Sequence, residues 1–253
     1  MAGTLGSCQR QLFCPLIQLI DKGIKVATPE NVVYSTDPHR ANGLDGKVYF
    51  VKGPELEIVI AEVVAHLLAR DLQLRVPDFG VVLSAEDAPL FASCEVPHCH
   101  RTVDDWIVRR RITNHDLLPR LVVFDIWVAN KDRNIGNLVG AEVQTGTDVK
   151  IALVAIDFEK SVAIRGPYPL TTVDTIPVRQ LWPSGILGDL VQGVPCPGDF
   201  CETIEHVSES QIEAAFASIE SRLGTEVPWK ESSVSVLMKR AKKIRKLVAE
   251  VWR

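Results

Sequence analysis

The sequence predicts an α+β fold in two lobes: a small, mostly antiparallel sheet with one helix, then a mainly helical half. Three observations carry that prediction. Short runs rich in Val, Tyr, Phe and Leu alternate with turn residues between residues 32 and 97, around a single long helical pattern. Beyond Pro97 the longer apolar runs take the helical period instead. Within that half one strand pair, Leu138 to Val143 and Val149 to Ile156, returns on itself through Gln144-Thr145-Gly146-Thr147-Asp148. Residues 1–97 are therefore assigned to the first lobe and 98–253 to the second.

In order, Cys14 to Ile20 and Lys25 to Val33 are short and apolar enough for a helix or strand at the edge of the first lobe. Val32-Val33-Tyr34-Ser35 and Lys47 to Lys52 read as two strands, with a loop from Asp37 to Gly46 holding Asn42-Gly43 and Asp45-Gly46. Glu55 to Leu72 carries Leu56, Val59, Ile60, Val63, Val64, Leu67 and Leu68, the stripe of an amphipathic helix, with Glu62 away from its centre. Val76-Pro77-Asp78 ends it, and Phe79 to Leu83 and Leu90 to Val96 are strand-like around the acidic turn Ser84 to Asp87. Helices follow at Thr102 to Ile112, capped by Thr102 with Asp105, and at Asn114 to Val128, capped by Asn114. Past Ser161 a proline-punctuated stretch has few periodic runs, and substrate choice is expected there. Ser208 opens a helix through Leu223, and Ser232 to Trp252 forms a last one. Its apolar face is Leu237, Ala241, Ile244, Val248 and Val251; the other carries Lys239, Arg240, Lys242, Lys243, Arg245 and Lys246. Such a face is usually solvated, and the other reading is contact with an anionic surface.

A chain of 253 residues, 46% hydrophobic and 24% charged, is composed like an ordered globular protein. Its net charge of −4 argues against wholesale nucleic-acid binding, leaving local basic patches open. No run approaches the ~20 apolar residues of a membrane span, and the N-terminal stretch lacks a secretory pattern, so the expected location is cytoplasmic. Six cysteines are too sparse for a disulfide framework. Cys94, His98, Cys99 and His100, with Cys196 and Cys201, were they zinc ligands, would match no familiar spacing; packing thiols beside a polar turn is the preferred reading.

The chemistry concentrates between Leu121 and Phe158. Asp132 is followed by Asn137, and Asp157 ends the second hairpin strand, so the hairpin returns Asp157 beside Asn137. Phosphoryl transfer requires a carboxylate to orient the attacking hydroxyl and oxygen ligands for magnesium, and Asp132, Asn137 and Asp157 supply these. Lys52, at the end of its strand, suits a phosphate, and Glu62 suits its partner across the helix. Gly43 and Gly46 would let backbone N–H groups approach phosphates, although Asn-Gly and Asp-Gly are first of all hairpin signals. Glu95-Val96 lies where the chain passes between lobes and offers backbone groups to an adenine.

These residues resemble the HipA-like kinases, a branch of the protein-kinase-like fold also related to phosphoinositide kinases. Glu62 through Asp78 resembles the family's glutamate-bearing helix and Val-Pro exit, Phe124 to Asn137 its catalytic loop, and Ile156-Asp157-Phe158 its metal-binding acid. The resemblance implies a two-lobed protein-kinase-like fold and transfer of the γ-phosphoryl of ATP, with Mg2+, to a hydroxyl, foremost Ser or Thr of a protein substrate. It assigns Asp132 as catalytic, Asn137 and Asp157 to magnesium, and Lys52 with Glu62 to the nucleotide. The alternatives are a lipid or small-molecule kinase and a nucleotide-binding module without turnover. Three positions depart from the pattern: Asn134 stands where relatives commonly carry His, Glu159 replaces Gly after Asp157-Phe158, and the loop before Lys52 lacks the serine-bearing phosphate loop of the longer toxin kinases.

Overall fold

The alternating run at Lys47 to Lys52 becomes β3 (Val48–Lys52), the middle of a five-stranded antiparallel sheet. Its order is β1-β2-β3-β5-β4, with β1 Ile24–Lys25, β2 His39–Asn42, β4 Phe79–Leu83 and β5 Pro89–Cys94. The period of two sends Tyr49 and Val51 into a small core with Ala41, Val82 and Ala92, and puts Val48, Phe50 and Lys52 on the opposite face. The computed structural model describes residues 12–20, 24–25, 39–85, 87–100, 103–109, 111–166 and 194–252. The expected strand Val32–Ser35 and the expected cap Thr102 lie outside them. His39–Asn42, expected as loop, is a strand: its backbone pairs His39 with Val51 and Asn42 with Val48, which needs no apolar side chains on an exposed face.

Helix α1 (Leu56–Asp71) meets its expected span within a residue at either end, but the stripe expected of it is missing because every residue from Ile58 to Ala69 is buried. It is enclosed between β4 and β5 on one side and, on the other, α4 (Val162–Arg165) and a later helix, Glu209–Leu223. An acid on such a helix cannot reach solvent, and this commits Glu62 to internal partners.

The second half contains β6 (Cys99–His100), α2 (Asp104–Val108), α3 (Leu117–Val128), a 3-10 turn at Ile135–Asn137, β7 (Leu138–Thr145) and β8 (Asp148–Ala155). After α4 come α5 (Gly198–Glu205), α6 (Glu209–Leu223), α7 (Lys230–Lys242) and α8 (Ile244–Ala249). Strands β6, β7 and β8 form a second antiparallel sheet, pairing Leu138 with Ala155 at the end nearest the 3-10 turn. Ser208 opens α6 with a capping box to Gln211. Residue 97 falls between β5 and β6, while α1 lies in one continuous core with α3 and the C-terminal helices.

Three expectations about helices are corrected. The helix expected over Thr102 to Ile112 is only α2. Asn114 caps no helix: its side chain donates to the Leu153 carbonyl at 2.9 Å and accepts the Leu153 N–H at 2.8 Å, fastening β8, and α3 begins after Asp116. The last helix breaks at Lys243 into α7 and α8, and Arg240 leaves the basic face altogether. Arg240 is 1% exposed and donates to the carbonyls of Trp127, at 2.9 Å, and Ile126. The last carbonyls of α3 lack an i+4 donor, Ile126 receiving only the Ala129 N–H at 3.3 Å, and the guanidinium completes them. Arg245 stays exposed but is paired with Glu205 at 2.9 Å, beside the exposed Lys239, Lys242, Lys243 and Lys246.

Before β1, Leu12 to Ile20 is extended and bridges the halves. The Ile17 N–H donates to the Val81 carbonyl at 2.8 Å on β4, and the Cys14 N–H to Ser218 Oγ at 2.7 Å on α6. Gly80 permits that approach, since a Cβ there would collide with the Pro15 carbonyl.

Candidate active site

Lys52 ends β3 on the face turned toward α1, where its ammonium lies 2.9 Å from Glu62 Oε1, 3.1 Å from Asp157 Oδ1 and 3.6 Å from Glu159 Oε2. Glu62 is fully buried, and its second oxygen accepts the Phe158 N–H at 2.9 Å. Burial pushes the Glu62 carboxyl upward, opposed by Lys52. The same burial works against the Lys52 ammonium, but Glu62, Asp157 and Glu159 together outweigh it and hold the group charged.

Asp157 is reached from β8 through Ile156, whose N–H donates to the Asn137 carbonyl at 3.1 Å. Asp157 takes the left-handed conformation, φ 62°, which costs a non-glycine residue roughly 1 kcal/mol or more. That reversal puts its carboxylate on Lys52 while the next side chain, Phe158, is fully buried against Phe124, His66 and the Arg133 guanidinium.

The loop from Asn130 to Asn137 is shaped by a buried ion pair. Arg133 Nε lies 2.9 Å from Asp125 Oδ2, both side chains wholly out of solvent, and Arg133 also donates to the carbonyls of Asn137 and Ile156. Asn130 completes the arrangement, donating to Asp125 at 3.0 Å and accepting the Asp132 N–H at 3.1 Å. Burial raises the Asp125 carboxyl pKa against the pull of Arg133. Asn134 is spent inside the loop, donating to the Asp132 carbonyl and accepting the Gly136 N–H. Asn137 donates to the same carbonyl, at 2.6 Å, through its amide nitrogen, leaving the amide oxygen as its ligating atom.

Asp132 is what this frame presents. Its carboxylate is half-buried and has no hydrogen-bond or ionic partner among the described residues. Desolvation first, then the charge of Asp157, raises its pKa above the usual aspartate value.

The structure thus brings together Lys52, Glu62, Asp132, Asn137 and Asp157. It does not bring Gly43 and Gly46 to them. Those glycines form the β2–β3 turn at the Val48 end of β3, roughly 13 Å along the strand from Lys52, so their expected role over the phosphates is corrected to that of a hairpin turn. Glu95 and Val96 follow β5 at that same end. The Glu95 N–H is already given to the Val48 carbonyl at 2.7 Å and its carboxylate accepts from Arg40 at 2.9 Å, while Val96 packs against the cluster of Val139, Ala141 and Val154 and its backbone groups have no partner among the described residues.

The cysteine–histidine cluster is not assembled as a metal site. His100 bonds Glu142 at 2.8 Å and packs on Trp106, and among the described residues the groups close enough to share an ion are Glu62, Asp157 and Glu159. With Glu62 already bonded at both oxygens, Asp157 and the amide oxygen of Asn137 are the fitting donors for a hard cation such as Mg2+. A cavity of about 440 Å³ between Pro15–Gln18 and the sheet, lined by Lys47, Tyr49, Arg70 and Asp78, holds none of these side chains.

Sequence reasoning missed Glu159, Asp125 and Arg133 as parts of the site. The signal was present for Asp125, an acid within the otherwise apolar run Leu121 to Val128, where no solvated helix face exists. Among the described residues no helix is long and apolar enough to cross a membrane.

Comparison with solved structures finds a proinflammatory kinase of Helicobacter pylori, CtkA, similar over 91% of this chain and 96% of that one, with a TM-score of 0.57 at 14% identity. The fold is therefore protein-kinase-like. The Rio2 kinase of Chaetomium thermophilum, solved as an ADP/Mg2+-phosphoaspartate complex, aligns over 90% of this chain and 69% of that one, with a TM-score of 0.38 at 12% identity. Comparison with curated protein sequences gave no match. Residues 33–161, just over half of the chain and the span that carries β2 to β8 and every side chain of the cluster, match the HipA-like kinase family, and the protein belongs to that family of kinase-type phosphotransferases.

Proposed function

We propose that the protein transfers the γ-phosphoryl group of Mg-ATP to the hydroxyl of a Ser or Thr in a protein substrate. The observation that carries this reading is the unpartnered Asp132 carboxylate, held by the Arg133–Asp125 frame beside the Lys52, Glu62 and Asp157 cluster. Lys52, fixed by Glu62, would hold the α- and β-phosphates, and Asp157 with Asn137 would hold magnesium, which would supply the charge neutralisation that the phosphates need. Val48 and Phe50 share the Lys52 face of β3 and cover the base, whose edge meets the free backbone groups of Val96. Asp132 orients the acceptor hydroxyl and takes its proton as the oxygen attacks.

The test is incubation with γ-labelled ATP and Mg2+, alone and with cell lysate, followed by separation of protein, lipid and small-molecule fractions. Label on Ser or Thr is the expected result. Label in the lipid or small-molecule fraction replaces the acceptor, and absence of both label and Mg-ATP binding overturns the reading.

A further inference from the structure

Charge builds on the transferred phosphoryl group as it leaves ADP, and a cation placed there in advance lowers the barrier. Resting on the phosphotransferase reading above, the question is which side chain does this. Lys52 is committed to Glu62 and Asp157. Within the catalytic loop Arg133 is wholly buried and saturated, Asn134 is folded into the turn, and Lys131 is exposed with no anchor among the described residues for its side chain.

Lys160 differs from all three. Its carbonyl accepts the Lys131 N–H at 3.3 Å, which sets it beside the residue preceding Asp132. Its ammonium lies 3.3 Å from Glu159 Oε1 and its side chain is 32% exposed, so it is anchored yet reaches open space. Glu159 is fully buried, and its other oxygen faces Lys52 at 3.6 Å. One carboxylate, at a position where a glycine would offer no group, faces two ammonium ions, one at each of its oxygens. The Lys160 charge is also felt at Asp132, whose pKa it lowers against the larger upward effects of burial and Asp157.

We propose that Lys160 is a catalytic residue whose ammonium binds the transferred phosphoryl group facing Asp132, and that Glu159 is the positioning residue that holds Lys160 level with Lys52. In the step, the acceptor oxygen forms its bond to the γ-phosphorus as the bond to the β–γ bridging oxygen breaks. ADP leaves with that electron pair, the hydroxyl proton passes to Asp132, and Lys160 keeps its proton throughout. Lys160 therefore discriminates ATP from ADP, whereas Lys52 contacts both.

The experiment measures Mg-ADP and Mg-ATP affinity by calorimetry, and turnover, for the parent, Lys160→Gln, Lys160→Arg and Glu159→Gln. Lys160→Gln is expected to bind Mg-ADP within about twofold of the parent, to lose its preference for ATP over ADP, and to lose roughly 10²-fold or more in turnover. Lys160→Arg keeps the charge and the fold and is expected to recover the ATP preference. Glu159→Gln is expected to bind Mg-ADP and to lose a smaller part of the preference and of turnover. If Lys160→Gln keeps the parent's preference and turnover, or loses ADP and ATP affinity equally, the assignment of Lys160 is wrong while the nucleotide site stands. A parent protein that binds neither nucleotide overturns the phosphotransferase reading and this inference with it.

Discussion

Glu62 accepts the Phe158 backbone N–H at 2.9 Å although the two residues are 96 positions apart, and with its other oxygen it holds Lys52 at the same distance. One buried carboxylate thereby fixes the end of β3 to the turn that carries Asp157. The position of Lys52 relative to Asp157 is thus set through a residue of α1.

Glutamine at position 62 tests that division. Its carbonyl still accepts from Phe158, and it removes the desolvation that raises the carboxyl pKa, so Glu62→Gln is expected to unfold within about 1 kcal/mol of the parent. Lys52 loses its strongest anchor, and kcat/KM should fall by roughly 10- to 100-fold. Glu62→Ala loses both bonds and opens a cavity, and about 2–4 kcal/mol of stability should go with them. Urea unfolding and steady-state kinetics decide it; a Glu62→Gln enzyme with unchanged kcat/KM sinks the positioning role.

The Asp125–Arg133 pair supports a second prediction. Both side chains are at 0% exposure, so removing one strands a buried charge, and Asp125→Ala is expected to cost about 3–5 kcal/mol. Replacing both, with Asp125→Leu and Arg133→Met, removes the charges together and should cost clearly less than the sum of the single changes. It also frees the carbonyls of Asn137 and Ile156, so turnover should be lost even where the double variant folds. Additive stability losses would show that the two side chains are not coupled.

Local chemistry was legible in the sequence where one segment decides its own structure. The helical run of α1, the turn at Gly146 between β7 and β8, and Ser208 at the start of α6 each hold their signal within a few residues. That Lys52, Glu62, Asp132, Asn137 and Asp157 come together was legible too, because the spacing from Asp132 to Asn137 and the acid two residues past β8 are local. What escaped the reading depends on partners far along the chain. Arg240 belongs to a run of lysines that reads as a solvated face, yet the spare carbonyls at the end of α3, more than a hundred residues earlier, take it inside. Glu159 read as the loss of a glycine, because Lys52, the distant one of the two lysines it meets, comes to it only in three dimensions. Gly43 and Gly46 carried a turn signal that was correct for the turn and silent about which end of β3 it would occupy.

His66 supplies a pH dependence. It is fully buried among Phe79, Phe91 and Phe158, and its Nδ1 donates to the Glu62 carbonyl at 2.8 Å while Nε2 has no partner among the described residues. Burial first, with the charges of Lys52, Arg133 and Arg70 acting the same way, lowers its pKa from 6.5 to about 3. Between those values the unfolded chain carries the proton and the folded one does not, so stability rises with pH there and falls as pH drops below about 6.5. The loss approaches 1.4 kcal/mol per pH unit, roughly 2 kcal/mol by pH 5. Glu62 and Asp125, whose pKa values are raised, act in the opposite sense, and comparison with His66→Leu isolates the histidine. The stability difference between pH 7 and pH 5 should be about 2 kcal/mol smaller in that variant, by urea unfolding at each pH; an unchanged difference removes His66 as its source.

The last prediction separates Asp132 from Asp157. Asp157 is tied to Lys52 at 3.1 Å and stands beside Asn137, and in the proposed mechanism its charge serves magnesium and the phosphates; Asp132, whose carboxylate has no hydrogen-bond or ion-pair partner among the described residues, is proposed to serve the acceptor hydroxyl. Asp157→Asn removes a charged metal ligand and should weaken magnesium-dependent ATP binding together with turnover. Asp132→Asn leaves Asp157 and Asn137 in place and keeps the backbone carbonyl that Asn134 and Asn137 hold, so it should bind Mg-ATP nearly as the parent does. Its transfer rate should fall by roughly 10²–10⁴-fold, the size of a general acid–base contribution. Because burial and Asp157 raise the Asp132 pKa, the parent should lose turnover on acidification at a pH above the ordinary aspartate value of 3.8, since a protonated carboxyl cannot take the hydroxyl proton. Calorimetry with Mg-ATP and a transfer assay on both variants settle the matter. An Asp132→Asn protein that loses ATP binding as completely as Asp157→Asn, or that transfers phosphate as fast as the parent, would mean that the open carboxylate is not the group that orients the acceptor.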